Sequence, residues 1–374
     1  MTKTQQFEQQ TKALIDDIKK VCANYGLGND GNEFKVITQV FLYKFLNDKY
    51  VFEIKKFDKK LAEADNWEEA FSTYSDKDIA KLNMRLRPSV ARIRPDHFIT
   101  SLFNKQDKPN FAEIFDTTLI DIAKDNSDIF SVLTEGGEKI VLFENLSKYV
   151  TDNRDQFCKA LINKLTDFSF ENIFNEKFDF YATIFEYLIK DYNTNSGGKY
   201  AEYFTPHAVS KIMARCLVNG DVDNATCYDP SAGSGSLLMN LAHQIGEDKC
   251  TIYSQDISQK SSSLLRLNLI LNDLVHSIHN IIKGNTILDP YHKEENGELR
   301  RFKFITSNPP FKLDFSDFSA DLDSKENQER FFAGIPKVPP KKKETMAIYL
   351  MFLQHIIYSL TEDGKAAVVV PTGF

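Results

Sequence analysis

The spacing of apolar residues changes partway along this chain. Over residues 1–165 they recur every three or four positions, as Leu14, Ile15 and Ile18 do near the start. That period is typical of helices. The pattern therefore predicts a helical N-terminal domain over residues 1–165 and a second domain of different build over residues 166–374.

The second domain alternates short apolar runs with helical ones. The candidate strands are Ala225–Tyr228, Thr251–Gln255, Ile278–Lys283, Phe302–Thr306 and Ala366–Val370, and the candidate helices are Pro206–Leu217, Leu237–Ile245, Gln259–Asn272 and Met346–Leu360. Strands that alternate with helices predict an α/β fold with a doubly wound, mostly parallel sheet. Ligands of such sheets bind at the carboxyl ends of strands, near the point where the strand order reverses.

The composition is that of a water-soluble protein. Of the 374 residues, 42% are hydrophobic and 26% are charged, as in ordinary globular domains. No run of about 18 apolar residues predicts a membrane span, and the polar N-terminus does not resemble a signal peptide. Neither the five scattered cysteines nor the seven histidines have metal-ligand spacing. We therefore expect a cytoplasmic protein with reduced cysteines and no metal site.

The strongest chemical motif is YDPSAGSGSLL, residues 228–238, which joins a strand, a glycine-rich turn and a helix. Gly233 and Gly235 let the backbone approach a ligand closely, and free N–H groups at the start of the helix can donate to it. Asp256 ends the next strand, where a carboxylate can accept hydrogen bonds from ribose hydroxyls. The motif favours a nucleotide-like cofactor over a purely structural turn.

Two residues distinguish between the cofactors that such a turn can hold. The third glycine of a dinucleotide fingerprint would fall at position 238, which is Leu238 in this chain. Asp229 would repel a pyrophosphate, but it would attract the cationic amino group and sulfonium of S-adenosylmethionine. We therefore favour S-adenosylmethionine, and a dinucleotide-dependent oxidoreductase becomes a distant alternative.

Two shorter stretches add to this cofactor hypothesis. In KYAEYFTPHAV, residues 199–209, Thr205 and Pro206 predict an N-cap and first position of a helix. The aromatic pair Tyr203-Phe204 before them could form a wall of the pocket. In IIKGNTILDP, residues 281–290, Asn285 ends the third strand, beside the cofactor's adenine in folds of this kind. A helix start and a turn, respectively, are the plainer interpretations.

The stretch SNPPFK, residues 307–312, follows a candidate strand and suggests the reaction. An amino group on a heteroaromatic base is a poor nucleophile because its lone pair is delocalised into the ring. The Asn308 side-chain oxygen and the Pro309 carbonyl could accept hydrogen bonds from the two N–H groups of this amine, while Pro310 stiffens the backbone. Phe311 could stack on the base, which must first be flipped out of a duplex. A rigid surface turn is the simpler alternative.

Together these motifs resemble an N6-adenine DNA methyltransferase, and more closely the modification (M) subunit of type I restriction–modification systems. The matching residues are Tyr203-Phe204-Thr205-Pro206, Asp229 to Gly235, Gln255-Asp256 and Asn308-Pro309-Pro310-Phe311. The resemblance implies a Rossmann-like fold and methyl transfer from S-adenosylmethionine to adenine N6 in double-stranded DNA. It also implies a complex with a specificity (S) subunit, a second copy of M and, in systems that cleave DNA, a restriction (R) subunit. The net charge of −7 fits a chain that leaves much of the DNA contact to a partner.

The resemblance further implies roles for individual residues. The cofactor would be held by Glu202, Tyr203, Phe204, Thr205, Pro206, His207, Asp229, Ser231, Gly233, Ser234, Gly235, Ser236, Asp256 and Asn285. The target adenine would be held by Asn308, Pro309, Pro310 and Phe311. The family often has Asp where this chain has Asn285, so we expect an altered contact there.

The end of the chain departs from the family. It stops at VVVPTGF, residues 368–374, just after the fifth candidate strand, whereas the family's sheet continues with two more strands and a helical tail. We therefore expect a split or truncated gene product, or a fragment. Two alternatives stay open, a non-catalytic cofactor-binding scaffold left by truncation and a protein glutamine N-methyltransferase, because a glutamine amide is also planar and poorly nucleophilic.

The polar segment at residues 315–344 lies between the catalytic motif and the last candidate helix, and it ends in the basic run Pro339-Pro340-Lys341-Lys342-Lys343. It is interpreted either as a disordered loop or as a flexible element that closes on DNA phosphates.

Overall fold

The computed structural model describes residues 2–28, 31–171, 173–174, 178–195 and 205–372, without the side chains of 178–179 and 190–195. Tertiary contacts divide the chain into two compact units. The helical unit comprises residues 1–130 and 141–197, and the sheet unit comprises residues 131–140 and 198–374. This division falls later in the chain than the boundary expected at residue 165, and it assigns a ten-residue segment of the N-terminal half to the sheet unit.

The helical unit follows the apolar period of its sequence. Its helices are α1 (Lys3–Asn24), α2 (Glu33–Phe57), α3 (Lys59–Ala62), α4 (Trp67–Ser72), α5 (Asp76–Arg85), α6 (Ile99–Lys105), α7 (Phe111–Asp125), α8 (Ser127–Phe130), and, after the sheet-unit segment, α9 (Arg154–Thr166) and α10 (Phe178–Asn195). Most residues of helix α2 are buried. Among them, Lys44 Nζ and the Asp48 carboxylate form an ion pair at 3.0 Å. The predicted helical N-terminal region is confirmed.

The sheet unit alternates strands and helices. Its strands are β1 (Val132–Thr134), β2 (Lys139–Ile140), β3 (Ala225–Asp229), β4 (Cys250–Asp256), β5 (Ile281–Lys283), β6 (Phe302–Ser307) and β7 (Leu360–Val368). Its helices are α11 (His207–Leu217), α12 (Ser236–Ile245), α13 (Gln259–Leu271), α14 (Ser319–Leu322) and α15 (Tyr349–Tyr358). None of the helices in the described ranges has the length and apolarity to cross a membrane.

These seven strands form one sheet in the order β2-β1-β5-β4-β3-β6-β7. All neighbours are parallel except the hairpin pair β1 and β2. The chain moves outward from β3 to β4 and β5, and then returns to the other side of β3 with β6. The strand order therefore reverses between β3 and β6, where a doubly wound sheet opens its ligand crevice. The predicted α/β class and mostly parallel sheet are confirmed.

Helices cover both faces of the central strands. The Tyr228 ring of β3 stacks on Phe302 of β6 with 4.3 Å between the ring centroids, and Ile356 of α15 packs against both. The neighbouring residues of β3 point to the opposite face, which packs on α12. Both faces of these central strands are thus buried, as is usual for a parallel sheet.

Two strand predictions need correction. The strand expected at Ile278–Lys283 is shortened to β5, because Val275–Asn280 form a 3-10 helix. The strand expected to begin at Ala366 begins at Leu360, since the chain pairs with β6 on both sides of an irregularity that contains Gly364.

The segment expected to be a disordered or flexible loop has a core of its own. Phe315, Leu322 and Phe331 are buried against Met351 and Phe352 of α15. The side chain of Gln354 accepts a hydrogen bond from the Ala333 N–H (2.7 Å) and donates to the Gly334 carbonyl (3.0 Å). Apolar burial and these hydrogen bonds tie the segment to α15, while its basic end at residues 341–343 stays exposed.

Candidate active site

Asp229 is a buried carboxyl at the carboxyl end of β3. It is 1% exposed, and Oδ1 accepts hydrogen bonds from the Ser231 N–H (2.9 Å) and hydroxyl (3.4 Å). Burial raises the pKa of Asp229 to about 8, although the Ser231 N–H and the Ser307 hydroxyl offset part of that effect. Burial therefore favours the protonated form of this side chain, and a cationic ligand beside it would favour its charged form.

The glycine-rich turn follows directly and leads into α12. Gly233 and Gly235 have φ angles of +53° and +82°, which glycine adopts without a steric cost. Gly235 is the residue before the helix, and a Cβ there would lie 2.2 Å from Leu265 Cδ1 of α13. The hydroxyls of Ser234 and Ser236 lie 3.2 Å apart. The turn thus needs glycine both for its backbone and for the close packing of α12 on α13.

Asp256 connects the end of β4 with this turn. One carboxylate oxygen accepts the Gly233 N–H (2.9 Å) and the other accepts the Ser258 N–H before α13 (2.9 Å). These two contacts orient the Asp256 carboxylate at the end of β4, beside the glycine-rich turn.

Asn285 stands just beyond β5, and its side chain closes a local turn. Its Oδ1 accepts the N–H groups of Ile287 (3.1 Å) and Leu288 (3.2 Å). Thr286 donates to the Pro230 carbonyl (2.7 Å), which anchors the end of β5 to the end of β3.

The catalytic candidate Asn308 lies at the end of β6, on the other side of the switch point. Its Nδ2 donates to the Thr205 hydroxyl at 3.1 Å, which fixes the amide orientation and leaves Oδ1 as the acceptor. The preceding residue, Ser307, is fully buried, and its hydroxyl lies 2.7 Å from the Ser231 hydroxyl. Asn308 is thereby linked both to the glycine-rich segment and to the start of α11.

Pro309 is buried, whereas Pro310 and Phe311 are half-buried. The Phe311 ring lies edge-on to Tyr349 of α15, with 6.4 Å between the centroids. A partly accessible ring next to a rigid dipeptide gives a surface on which a planar group can stack.

The α11 end of the site differs from expectation. The helix begins at His207, and the residue before it is Pro206, which makes no side-chain cap. The N-cap residue is therefore Pro206, not the expected Thr205. The Thr205 hydroxyl instead accepts a hydrogen bond from Asn308. The predicted residues Glu202, Tyr203 and Phe204 lie outside the described residues.

Sequence reasoning missed two contributors. Ser307 begins the SNPPFK segment, whose sequence gives it no evident role, and only the pairing of β6 with β3 brings its hydroxyl to that of Ser231. Glu135 of the β1–β2 turn accepts the Asn285 N–H at 2.9 Å. The signal for that turn is Gly136-Gly137 between two short apolar runs, which is a hairpin pattern.

Replacing Gly235 by Ala should destabilise the sheet unit by about 3 kcal/mol, because a Cβ in left-handed backbone costs about 1–2 kcal/mol and overpacking against Leu265 costs more. Gly220→Ala is the matched control, since Gly220 has φ +84° but nothing within 4 Å of its Cβ position. Urea unfolding of both variants measures the difference. Equal losses would mean that the contact with Leu265 has no energetic weight.

Fold and site together define a doubly wound α/β protein in which a glycine-rich turn, a buried acid and an Asn-Pro-Pro-Phe motif meet where the strand order reverses. The chain belongs to the N-6 DNA Methylase family, whose sequence model matches residues 176–374. The resemblance drawn from the motifs is thereby confirmed.

Several known proteins are similar. The MpnII type I restriction enzyme methylase subunit of Mycoplasma pneumoniae is 27% identical over 58% of this chain and 40% of its own length. The HindI methylase subunit of Haemophilus influenzae is 24% identical over 67% of this chain and 55% of its own length. The chain thus spans about half the length of the curated relatives it matches.

Solved structures support the fold. The type I restriction-modification system methyltransferase subunit of Streptococcus thermophilus matches all of this chain and 75% of that chain, with a TM-score of 0.74 and 21% identity. A likeness at this level of identity describes the fold alone.

Proposed function

We propose that this chain binds S-adenosylmethionine and transfers its methyl group to the N6 of adenine in DNA, as the modification subunit of a type I complex. The observation that carries the proposal is the hydrogen bond from Asn308 to Thr205, together with the Ser307–Ser231 contact. These two contacts hold the Asn-Pro-Pro-Phe motif at the carboxyl ends of β3 and β6, where the glycine-rich turn also lies.

The residues of the crevice fit this cofactor. Asp229 is a buried carboxyl whose described partners are hydroxyl and amide groups, so a cationic ligand would relieve the cost of its burial. Asp256 is oriented to accept ribose hydroxyls, and the turn at Gly233–Gly235 leaves space for close approach. Bound S-adenosylmethionine would supply a methyl group activated by the adjacent sulfonium.

The Asn-Pro-Pro-Phe motif would act on the target base. Asn308 Oδ1 and the Pro309 carbonyl would accept hydrogen bonds from the two N–H groups of the adenine amino group. These hydrogen bonds would draw the amino nitrogen toward tetrahedral geometry. The lone pair then becomes available, and no base is needed beforehand because the extra proton leaves afterwards. Phe311 would stack on the flipped adenine. Preorganised acceptors stabilise the transition state because they need no reorientation during the reaction.

Binding of DNA would require partners. The chain is acidic overall, while Lys341, Lys342 and Lys343 form an exposed basic run on the segment packed against α15. We infer that this run contacts phosphates near the target base, and that a specificity subunit, a second M subunit and a restriction subunit complete the assembly in the cytoplasm. The similar proteins named as methylase subunits of type I restriction enzymes support this setting.

The deciding experiment incubates the purified chain and its specificity subunit with methyl-labelled cofactor and DNA. We expect label in adenine N6 of the DNA. Label in protein with none in DNA would favour the glutamine methyltransferase alternative, and cofactor binding without any transfer would favour the scaffold alternative. Either result would overturn the proposed reaction.

A further inference from the structure

Glu135 comes from the N-terminal half of the chain but is built into the edge of the candidate cofactor site. It follows β1, which pairs in parallel with β5 through Thr134 and Lys283. The Glu135 N–H donates to the Lys283 carbonyl (3.0 Å), and its Oε2 accepts the Asn285 N–H (2.9 Å). The side chain is therefore held at the carboxyl end of β5 from two sides.

Gly284 makes this position possible. A Cβ at Gly284 would lie 2.3 Å from Glu135 Oε2, so any larger residue would displace the carboxylate. The Gly284 N–H donates to the Asp256 carbonyl at 2.9 Å, which joins the ends of β4 and β5. Glu135 thus stands beside the same strand ends that would hold the nucleoside part of the cofactor.

An adenine at this edge needs an acceptor for its exocyclic amino group. Asn285 cannot readily provide one, because its oxygen already accepts two backbone N–H groups and its amide nitrogen only donates. In the described part of the chain, the Glu135 carboxylate accepts one hydrogen bond, which the Asn285 N–H donates to Oε2. The other oxygen, Oε1, therefore retains its acceptor capacity. Ile257, directly after Asp256, is 67% exposed and offers an apolar surface to a flat purine.

We propose that Glu135 is a cofactor-binding residue that accepts a hydrogen bond from the amino group of the cofactor's adenine. The assignment rests on the proposed function. It supplies from a separate hairpin the carboxylate that the third strand end lacks at Asn285. A carboxylate accepts and cannot donate when ionised, so Glu135 would also select adenine against a purine that carries a carbonyl at the same position.

The test compares two ligands by calorimetry: S-adenosylhomocysteine, and its inosine counterpart, in which a carbonyl replaces the adenine amino group. The unsubstituted chain should bind the adenosine ligand at least about tenfold more tightly. Glu135→Gln should lose most of that preference, since an amide can donate to the carbonyl. Glu138→Gln is the matched control, because Glu138 is an exposed acid of the same turn and should keep the preference.

The possible failures are distinguishable. If the unsubstituted chain binds neither ligand, the proposed function falls, and the role of Glu135 falls with it. If it binds the adenosine ligand but Glu135→Gln keeps the full preference, only the role of Glu135 is overturned. Glu135 is exposed, so the variant should unfold at the same temperature as the unsubstituted chain, and a purely structural role would weaken both ligands equally.

Discussion

Replacing Asn308 by Ala should lower the rate of methyl transfer to DNA by about 100- to 1000-fold, the usual effect of removing one preorganised transition-state contact. The loss follows because Asn308 Oδ1 is the acceptor left available when Nδ2 donates to Thr205. Affinity for the cofactor should hardly change, since Asp229 and the glycine-rich turn stay intact. Single-turnover transfer of labelled methyl groups, measured with the specificity subunit present, gives the rate directly.

Two controls make this result specific. Asn296→Ala removes an exposed amide from a surface turn of the same unit and should leave the rate unchanged. Thr205→Val removes the hydroxyl that orients Asn308, and should slow transfer by about tenfold, as expected for one neutral hydrogen bond. Thr205→Ser retains the hydroxyl and should retain the rate. Near-normal transfer by Asn308→Ala would exclude the proposed role of the amide.

Much of the sheet unit was predictable because its strands leave short, mainly apolar runs that alternate with helical ones along the sequence. The runs at Ala225–Asp229 and Phe302–Ser307 were found in this way to within one residue. The glycine-rich turn was also predictable, because positive φ angles restrict the choice of residue. Each of these features is encoded locally.

The features that were missed depend on contacts between distant parts of the chain. The hairpin of β1 and β2 has strands of three and two residues, too short for a period to be measured. Its place beside β5 is set by pairing across about 150 residues, as the contact between Glu135 and Asn285 illustrates. The prediction that Thr205 is an N-cap was wrong for a similar reason. A Thr-Pro pair is a good helix start, and nothing in the neighbouring sequence shows that Asn308 donates a hydrogen bond to the Thr205 hydroxyl.

Binding of the cofactor should release about one proton below pH 8, because Asp229 is buried and its pKa is raised to about 8. A positively charged ligand needs the ionised carboxylate, so the proton must leave when it binds. Affinity should therefore rise by up to about tenfold per pH unit between pH 6 and 7.5. The cofactor's own amino group titrates near pH 8, which sets the upper limit of that window. Calorimetry in buffers of different ionisation enthalpy counts the released protons.

Asp229→Asn is the matched variant, and it also tests the sign of the effect on stability. A carboxyl whose pKa is higher in the folded state than in the unfolded state makes folding less favourable as pH rises, here from about 4 to about 8. Each pKa unit corresponds to about 1.4 kcal/mol, so the free energy of unfolding of the cofactor-free chain should fall by several kcal/mol over this range. The free energy of unfolding of Asp229→Asn should fall less over this range, so this variant should melt at a higher temperature than the unsubstituted chain at pH 8. It should bind the cofactor weakly and without proton release. Tight binding with no proton release by the unsubstituted chain would show that Asp229 is already ionised before the cofactor binds, which would contradict the raised pKa and the pH dependence expected from it.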